Sequence, residues 1–309
     1  MRLLITGGAG YVGSVLTAMA LERGHAVTVL DAFSFEQDSL LGVAHHRRFE
    51  LVRGDTRDPE VLGPALEQAD AIIPLAAVVG APACDREPGR ATSVNLDAIR
   101  TLIELRRPEQ RILFANTNSG YGSHPDAICT EETPFAPVSL YGQTKVEAER
   151  LVLNAGNGLA FRLATAFGAS PRMRFDLLVN DFVEQAHREG VLVLFESGFQ
   201  RNFIHVRDIA GAFLFALDQF DRMSGQTYNV GLSDANLTKL ELAERIREHV
   251  PRLKILESAT GRDPDRRDYL VSNAKIEALG WRPAYSLDDG IAELLKVCRL
   301  MPRRLYRNI

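Results

Sequence analysis

The stretch Gly7-Gly8-Ala9-Gly10-Tyr11-Val12-Gly13 constrains this chain more than any other segment. It follows a short apolar run, Leu3–Thr6. After it, Val12, Val15, Leu16, Met19 and Ala20 recur at helical spacing and are closed by Gly24. Gly8, Gly10 and Gly13 satisfy G-x-G-x-x-G, and Gly7, Gly10 and Gly13 satisfy G-x-x-G-x-x-G. Such a turn lets the backbone approach a pyrophosphate closely. The free N–H groups of the helix and the positive end of its dipole then face the anion. The strand–turn–helix context makes this a dinucleotide site, lined by Gly7, Gly10, Tyr11, Val12 and Gly13.

The β-branched run Ala26–Leu30 ends in Asp31, 18 residues after Gly13. A carboxylate there accepts hydrogen bonds from a ribose diol and repels a 2′-phosphate, which argues for NAD over NADP. Further apolar strands are expected at 49–52, 71–75, 111–115 and 159–163, with helices at 91–106 and 139–154. Continuous apolar strands separated by helices predict a parallel sheet covered on both faces, an α/β doubly wound architecture. Asp55 and Thr56 follow the third strand, and Leu75-Ala76-Ala77 follows the fourth. Both groups stand at carboxyl ends of strands, where such a sheet opens its ligand crevice. For Asp55, capping the next helix is the competing reading.

Beyond Gly168 the rhythm loosens, with helices expected at 176–188, 207–219, 238–249 and 287–299. This predicts a dinucleotide-binding domain over 1–168 and a smaller mixed α/β substrate domain over 169–309. Some later segments are expected to return to the first. No Pro/Gly/Ser linker separates the two.

Composition excludes several classes. The chain has 309 residues; 36 Lys and Arg against 40 Asp and Glu leave a formal charge of −4, which favours neither nucleic acid nor a membrane as partner. The apolar runs fall short of the roughly 18 residues that span a bilayer. Residues 1–7 read as a first strand rather than a signal peptide. Cys84, Cys129 and Cys298 form no paired framework and have no metal-ligand spacing. They read as small buried apolar groups in a chain of the reducing cytoplasm, without a metal.

Tyr141-Gly142-Gln143-Thr144-Lys145 places a phenol and an ammonium four residues apart at the start of a helix, on one face. The charge is expected to lower the tyrosine pKa and suit it to proton transfer.

Taken together, Gly7/Gly10/Gly13, Asp31, Asp55, Leu75-Ala76-Ala77 and Tyr141/Lys145 resemble the extended short-chain dehydrogenase/reductase family, over essentially the whole chain. That resemblance implies a Rossmann-type fold, bound NAD and a nucleotide-sugar substrate. In this family a Ser or Thr precedes a Tyr-Gly pair by four residues, and Thr117 stands there in Asn116-Thr117-Asn118-Ser119-Gly120-Tyr121-Gly122. The implied reaction is oxidation at sugar C4, with Thr117 bonding the 4-oxygen, Tyr141 taking the proton and NAD the hydride. The family's 4,6-dehydratases carry an Asp-Glu pair after that Thr, and its decarboxylases carry a Glu. Here Asn118 and Ser119 stand instead, which disfavours elimination and decarboxylation and leaves a 4-epimerase or a 4-dehydrogenase. Asn118 and Ser119 also read as capping residues of the turn. A catalytically silent NAD-binding regulator on the same fold is the competing class.

On the substrate side, Arg201 and Arg262 resemble the family's diphosphate-binding arginines, with a fork suited to phosphate oxygens. His205 and Asp208 read as structural. Where the family often has Asn after the sixth strand, this chain has Thr165, followed by a basic loop with Arg172 and Arg174. The Thr-Asn-Ser-Gly-Tyr-Gly and Ser-Pro-Arg-Met-Arg segments resemble those of enzymes that oxidise C4 of GDP-linked heptoses. The donor is left open among GDP, UDP and dTDP sugars. The resemblance also implies a homodimer through the helices at 91–106 and 139–154.

Overall fold

The computed structural model describes residues 1–258 and 267–301. Arg262 lies outside the described residues. The first half runs β1 (Arg2–Thr6), α1 (Tyr11–Glu22), β2 (Ala26–Asp31), β3 (Phe49–Arg53), α2 (Pro59–Glu67) and β4 (Ala71–Pro74). It continues with α3 (Ala81–Arg86), α4 (Pro88–Thr92), α5 (Ala98–Leu105), β5 (Arg111–Thr117), β6 (Ser123–Cys129), α6 (Leu140–Asn154), β7 (Gly158–Leu163) and β8 (Thr165–Phe167). The second half runs α7 (Leu178–Arg188), β9 (Val191–Phe195), β10 (Gln200–His205), α8 (Val206–Asp218), α9 (Phe220–Met223), β11 (Thr227–Val230) and β12 (Asn236–Thr238). It ends with α10 (Lys239–His249), β13 (Lys254–Ser258), β14 (Asp268–Val271), α11 (Ala274–Glu277) and α12 (Leu287–Leu300).

A seven-stranded sheet in the order β11-β7-β5-β4-β1-β2-β3 organises the chain. Every pairing in it is parallel. Strand order reverses between β1 and β4, the switch point where doubly wound sheets bind ligands. Side chains alternate across the sheet. Leu3, Ile5, Val29 and Ile73 pack with α1 and α8 on one face. Leu4, Ile72, Ile112 and Phe114 pack with α2, α5 and α6 on the other. Each of these side chains is buried, contributing about 1.5–3 kcal/mol. Both faces need cover, which is why the strands read as unbroken apolar runs.

Past Gly168, α8 and β11 rejoin this sheet, and the remaining segments build a second core around Phe167, Phe175, Val183, Phe203, Ile246 and Leu294. Smaller sheets frame it: β12-β10-β8, β13-β9 and β14-β6. Capping boxes start α10 (Thr238 with Glu241) and α12 (Ser286 with Asp289). The corner before α8 is fixed by His205, which accepts from Arg207 N–H, and by Asp208, which accepts from the N–H groups of Ala284 and Tyr285.

The helix expected over 91–106 is present, running from α4 into α5 without a break. Its turn over Ser93–Asp97 widens to i→i+5 pairing before α5 begins. Apolar periodicity cannot register one inserted residue. The helix-cap reading of Asp55 is corrected: Asp58 caps α2, accepting from Glu60 N–H at 3.0 Å, with Pro59 at the first helical position. Among the described residues no helix is long and apolar enough to cross a membrane. Cys84, Cys129 and Cys298 are all buried and unpaired.

α12 lies so close to the second core that a Cβ on Gly290 would fall within the Phe167 ring. Gly290→Ala is therefore expected to destabilise the fold by about 1–3 kcal/mol through overpacking. Urea unfolding at unchanged slope checks it; an unchanged midpoint would contradict this packing.

Candidate active site

The glycine turn carries the geometry expected of a phosphate cradle. Gly7 has φ +70°, and a Cβ there would lie 2.5 Å from Ala76 N. A Cβ on Gly13 would clash with the Gly7 carbonyl. The start of α1 has no side-chain cap, so its first N–H groups face the crevice mouth. Asp31 is 8% exposed and accepts from Ala9 N–H at 2.9 Å and Phe33 N–H at 2.8 Å. Burial raises its pKa, opposed by those two hydrogen bonds. Glycines, an uncapped helix start and a buried carboxylate at the end of β2 form a set that fits a dinucleotide.

Other residues expected around the dinucleotide are partly committed within the chain. The Tyr11 hydroxyl donates to the Gly168 carbonyl at 2.6 Å and accepts from Asn180 Nδ2 at 3.2 Å. Its side chain thus ties the turn to the second half, while its backbone stays at the helix start. Val12 is half-buried beside it, and Thr56 is buried at the end of β3. Asp55 is held by Arg57, whose guanidinium lowers its pKa. Leu75-Ala76-Ala77 follows β4; Ala76 faces Gly7, and its N–H lies 3.4 Å from Thr6 Oγ1.

The reacting groups come from two elements. β5 ends in Thr117, 9% exposed, whose hydroxyl accepts from Ser119 N–H at 3.1 Å and so caps the following turn. Thr117 is thus the capping residue there. Ser119 Oγ pairs with Thr117 Oγ1 at 2.9 Å, and neither polar atom of buried Asn118 has a partner among the described residues. α6 begins with Ser139 accepting from Gly142 N–H. A Cβ on Gly142 would lie 3.2 Å from the Ser119 carbonyl, so the helix start and this turn are in contact. Tyr141 is half-buried; Lys145 is 5% exposed, with its ammonium 4.1 Å from the centre of the Phe114 ring.

The expected acidification of the phenol is not found. Burial pushes Tyr141 up to about 12, opposed by the charges of Arg267 and Arg174. Burial also pulls Lys145 down to about 7, opposed by Glu149. The i, i+4 spacing puts the pair on one face, but desolvation is the largest influence on each group.

Several residues were not expected from sequence. Arg267 Nη1 donates to Ser119 Oγ and lies 3.4 Å from Tyr269 Oη. It stands five residues after Arg262 in the same segment of alternating arginines and aspartates, the one signal that could have flagged it. Asn95, in the widened turn, accepts from Val78 N–H at 2.8 Å and donates to the Val78 carbonyl at 3.0 Å, pinning the segment after β4. Arg201 is buried, donates to the Gln200 carbonyl and lies 5.8 Å from the ring centre of Tyr269, the residue whose hydroxyl Arg267 also reaches. Arg174 forks Asp176 at 3.2 and 2.6 Å, and Arg172 lies over the Phe35 ring at 4.8 Å. Ser170 in the same loop donates to the Tyr11 carbonyl, which sets Arg172 beside the glycine turn. Thr165 is half-buried in β8, in register with Phe203.

This geometry agrees with the comparisons to known proteins. The profile of the NAD dependent epimerase/dehydratase family matches residues 3–231, and the chain belongs to that family. It is 32% identical to the low-salt glycan biosynthesis protein Agl12 of Haloferax volcanii, over 94% of this chain and 96% of that one. It is 31% identical to UDP-glucuronic acid decarboxylase 1 of Arabidopsis thaliana, over 96% of this chain and 69% of that one. A UDP-glucose 4-epimerase of Thermus thermophilus, solved as a complex with NAD, superposes with a TM-score of 0.83 at 26% identity, over 97% and 99% of the two chains. The family therefore includes epimerases and decarboxylases on one NAD-binding fold.

Lys145 provides a test by linkage. Its folded pKa, about 7, lies below the ordinary 10.5. Between those values the unfolded chain holds a proton that the folded chain lacks, so stability rises with pH across that window. The penalty is complete below pH 7. Lys145→Met should therefore raise the melting temperature most at or below neutrality, with the gain fading towards pH 10.5. A gain independent of pH would contradict a buried, desolvated ammonium.

Proposed function

We propose that this chain oxidises C4 of a nucleoside-diphosphate sugar with NAD. It then either returns the hydride to the opposite face, as a 4-epimerase, or releases the 4-keto sugar, as a 4-dehydrogenase. The observation that supports this reading is the contact between the turn after Thr117 and the start of α6, which brings the end of β5 against the helix that carries Tyr141 and Lys145.

Bound NAD supplies the acceptor for the C4 hydride. Gly7, Gly10, Gly13 and the first N–H groups of α1 hold its pyrophosphate, and Asp31 its ribose. Arg172 reaches the same region from the second half. Thr117 orients the 4-hydroxyl, and Tyr141 receives its proton. Arg267 and Arg174 favour the phenolate that this transfer needs. Arg201 is assigned to the diphosphate. The donor is a GDP, UDP or dTDP sugar.

The fate of the oxidised sugar depends on the groups next to Thr117. A dehydratase or decarboxylase needs a carboxylic acid or base there. Asn118 and Ser119 have neither, and the charged group that reaches Ser119 is the cation Arg267. These features support a return of hydride or release of the ketone. The intact Thr117, Tyr141 and Lys145 set speaks against a silent NAD sensor.

The same reading places the chain in a reducing compartment such as the cytoplasm, on its buried unpaired cysteines. It pairs two copies through α5 and α6. A groove of about 460 Å³ lies along α6, lined by Leu96, Phe135, Leu140 and Val146 together with Gln143, Glu147 and Arg150. Val138, next in sequence to the lining residue Pro137, is 57% exposed.

Tyr141→Phe should lower turnover by at least about a hundredfold while NAD affinity stays within threefold. Near-normal turnover would refute the assigned proton acceptor. NMR of products from UDP-glucose, UDP-glucuronic acid and dTDP-glucose separates the two outcomes. An epimerised sugar without added NAD marks internal return; a 4-keto sugar needing external oxidant marks net oxidation. Light scattering on Val138→Asp should give half the parent's mass, and an unchanged mass would remove this face as the interface.

A further inference from the structure

We propose that Glu149 is a positioning residue for the reacting site: its carboxylate ties the strand end that carries Thr117 to the helix that carries Tyr141 and Lys145, and acts electrostatically on Lys145. This rests on the proposed function, in which those three residues are the reacting groups. Tyr141, Lys145 and Glu149 follow at four-residue intervals on one face of α6. Glu149 is 2% exposed, yet it does not belong to the crevice itself. Its Oε2 accepts from Asn116 Nδ2, and Asn116 Oδ1 accepts from Thr117 N–H at 2.8 Å. A single side chain thus separates the Glu149 carboxylate from the backbone of Thr117.

The other oxygen faces the far side. Glu149 Oε1 accepts from Arg162 Nη2 at 2.8 Å and from Thr227 Oγ1 at 3.1 Å, which joins β5, β7 and β11 to α6. Arg162 is itself satisfied. Its Nη1 donates to Tyr121 Oη and to the Glu131 carbonyl, both at 3.0 Å, and its guanidinium lies 4.0 Å from the Phe135 ring centre. A buried ion pair is a weak source of stability, since well-packed apolar side chains often replace one without loss. Its place one helical turn behind Lys145 gives it a different use.

The titratable groups around the reacting pair divide cleanly. Cys84 from α3, Arg174 from the loop after β8, and Arg267 and Tyr269 at β14 act on Tyr141. Lys145 meets the Phe114 ring from β5, and the charge acting on it is Glu149. Arg162 is bonded to the Glu149 carboxylate, and Lys145 lies within reach of its charge. Removing that charge leaves burial unopposed at Lys145, and removing the hydrogen bond frees Thr117 from the helix.

The chain has five lysines, so the Lys145 signal can be followed in NAD-loaded protein labelled with [¹³Cε]lysine and assigned through Lys145→Met. In Glu149→Gln the Lys145 midpoint should fall by at least about half a unit, a threefold shift in its ionisation. NAD affinity by calorimetry should stay within threefold. The charge-matched pair Glu149→Leu with Arg162→Met should fold and show the same fall, which decides the matter if Glu149→Gln does not fold. A midpoint unmoved in the folded variant, or a tenfold loss of NAD affinity, would overturn the proposal. Reduction of bound NAD by UDP-glucose, UDP-glucuronic acid or dTDP-glucose should slow by at least tenfold in the pair, with KM little changed. If the parent chain reduces NAD with none of these sugars and with no GDP-linked sugar, the functional reading fails, and the lysine titration still decides the role of Glu149.

Discussion

The approach of Gly7 to Ala76 is the constraint on which the rest of the site depends. β1 and β4 are neighbours in the sheet, and their chains leave its edge in different directions. Gly7 turns at φ +70° so close to the backbone of Ala76 that no side chain fits between them. That contact opens the crevice and aims the start of α1 into it. β5 and α6 then deliver Thr117, Tyr141 and Lys145 to the same edge. With both faces of the sheet covered by helices, this edge is where a ligand meets backbone N–H groups and side chains together.

Burial sets the electrostatics of that edge. Four-residue spacing alone suggests an acidic phenol beside an ammonium. In the folded chain desolvation dominates both groups: the phenol moves up to about 12 and the lysine down to about 7. The counterweights come from elsewhere in the chain. Arg267 and Arg174 favour phenolate, and Glu149 favours ammonium. A carboxylate next to Thr117 would do the opposite for the phenol, and in this chain Asn118 and Ser119 occupy those places. The same substitution that withholds an acid for elimination also adds no negative charge beside Thr117.

Much of this was legible because it is local. The glycine turn, the alternation of apolar strands and helices, Asp31 at the end of β2, and the Tyr141–Lys145 interval are each written within a short window. Proton chemistry was legible as residue types but not as pKa values, because desolvation depends on what covers a group. Asp55 illustrates a smaller error. Two aspartates stand near the start of α2, and only the one next to Pro59 has the cap geometry. The widened turn over Ser93–Asp97 was invisible because helical periodicity tolerates one inserted residue, yet it is what sets Asn95 against Val78.

By itself the sequence determined the parallel doubly wound sheet, the dinucleotide turn and the class of chemistry, since glycine conformation, strand burial and helical spacing act over a few residues. Tertiary structure alone decided which distant groups meet. Arg267 reaches Ser119 across 148 residues, Tyr11 reaches Gly168 across 157, and Glu149 gathers Asn116, Arg162 and Thr227. No local pattern encodes such meetings, because they arise when separate elements are packed against one sheet and buried polar groups must find partners there.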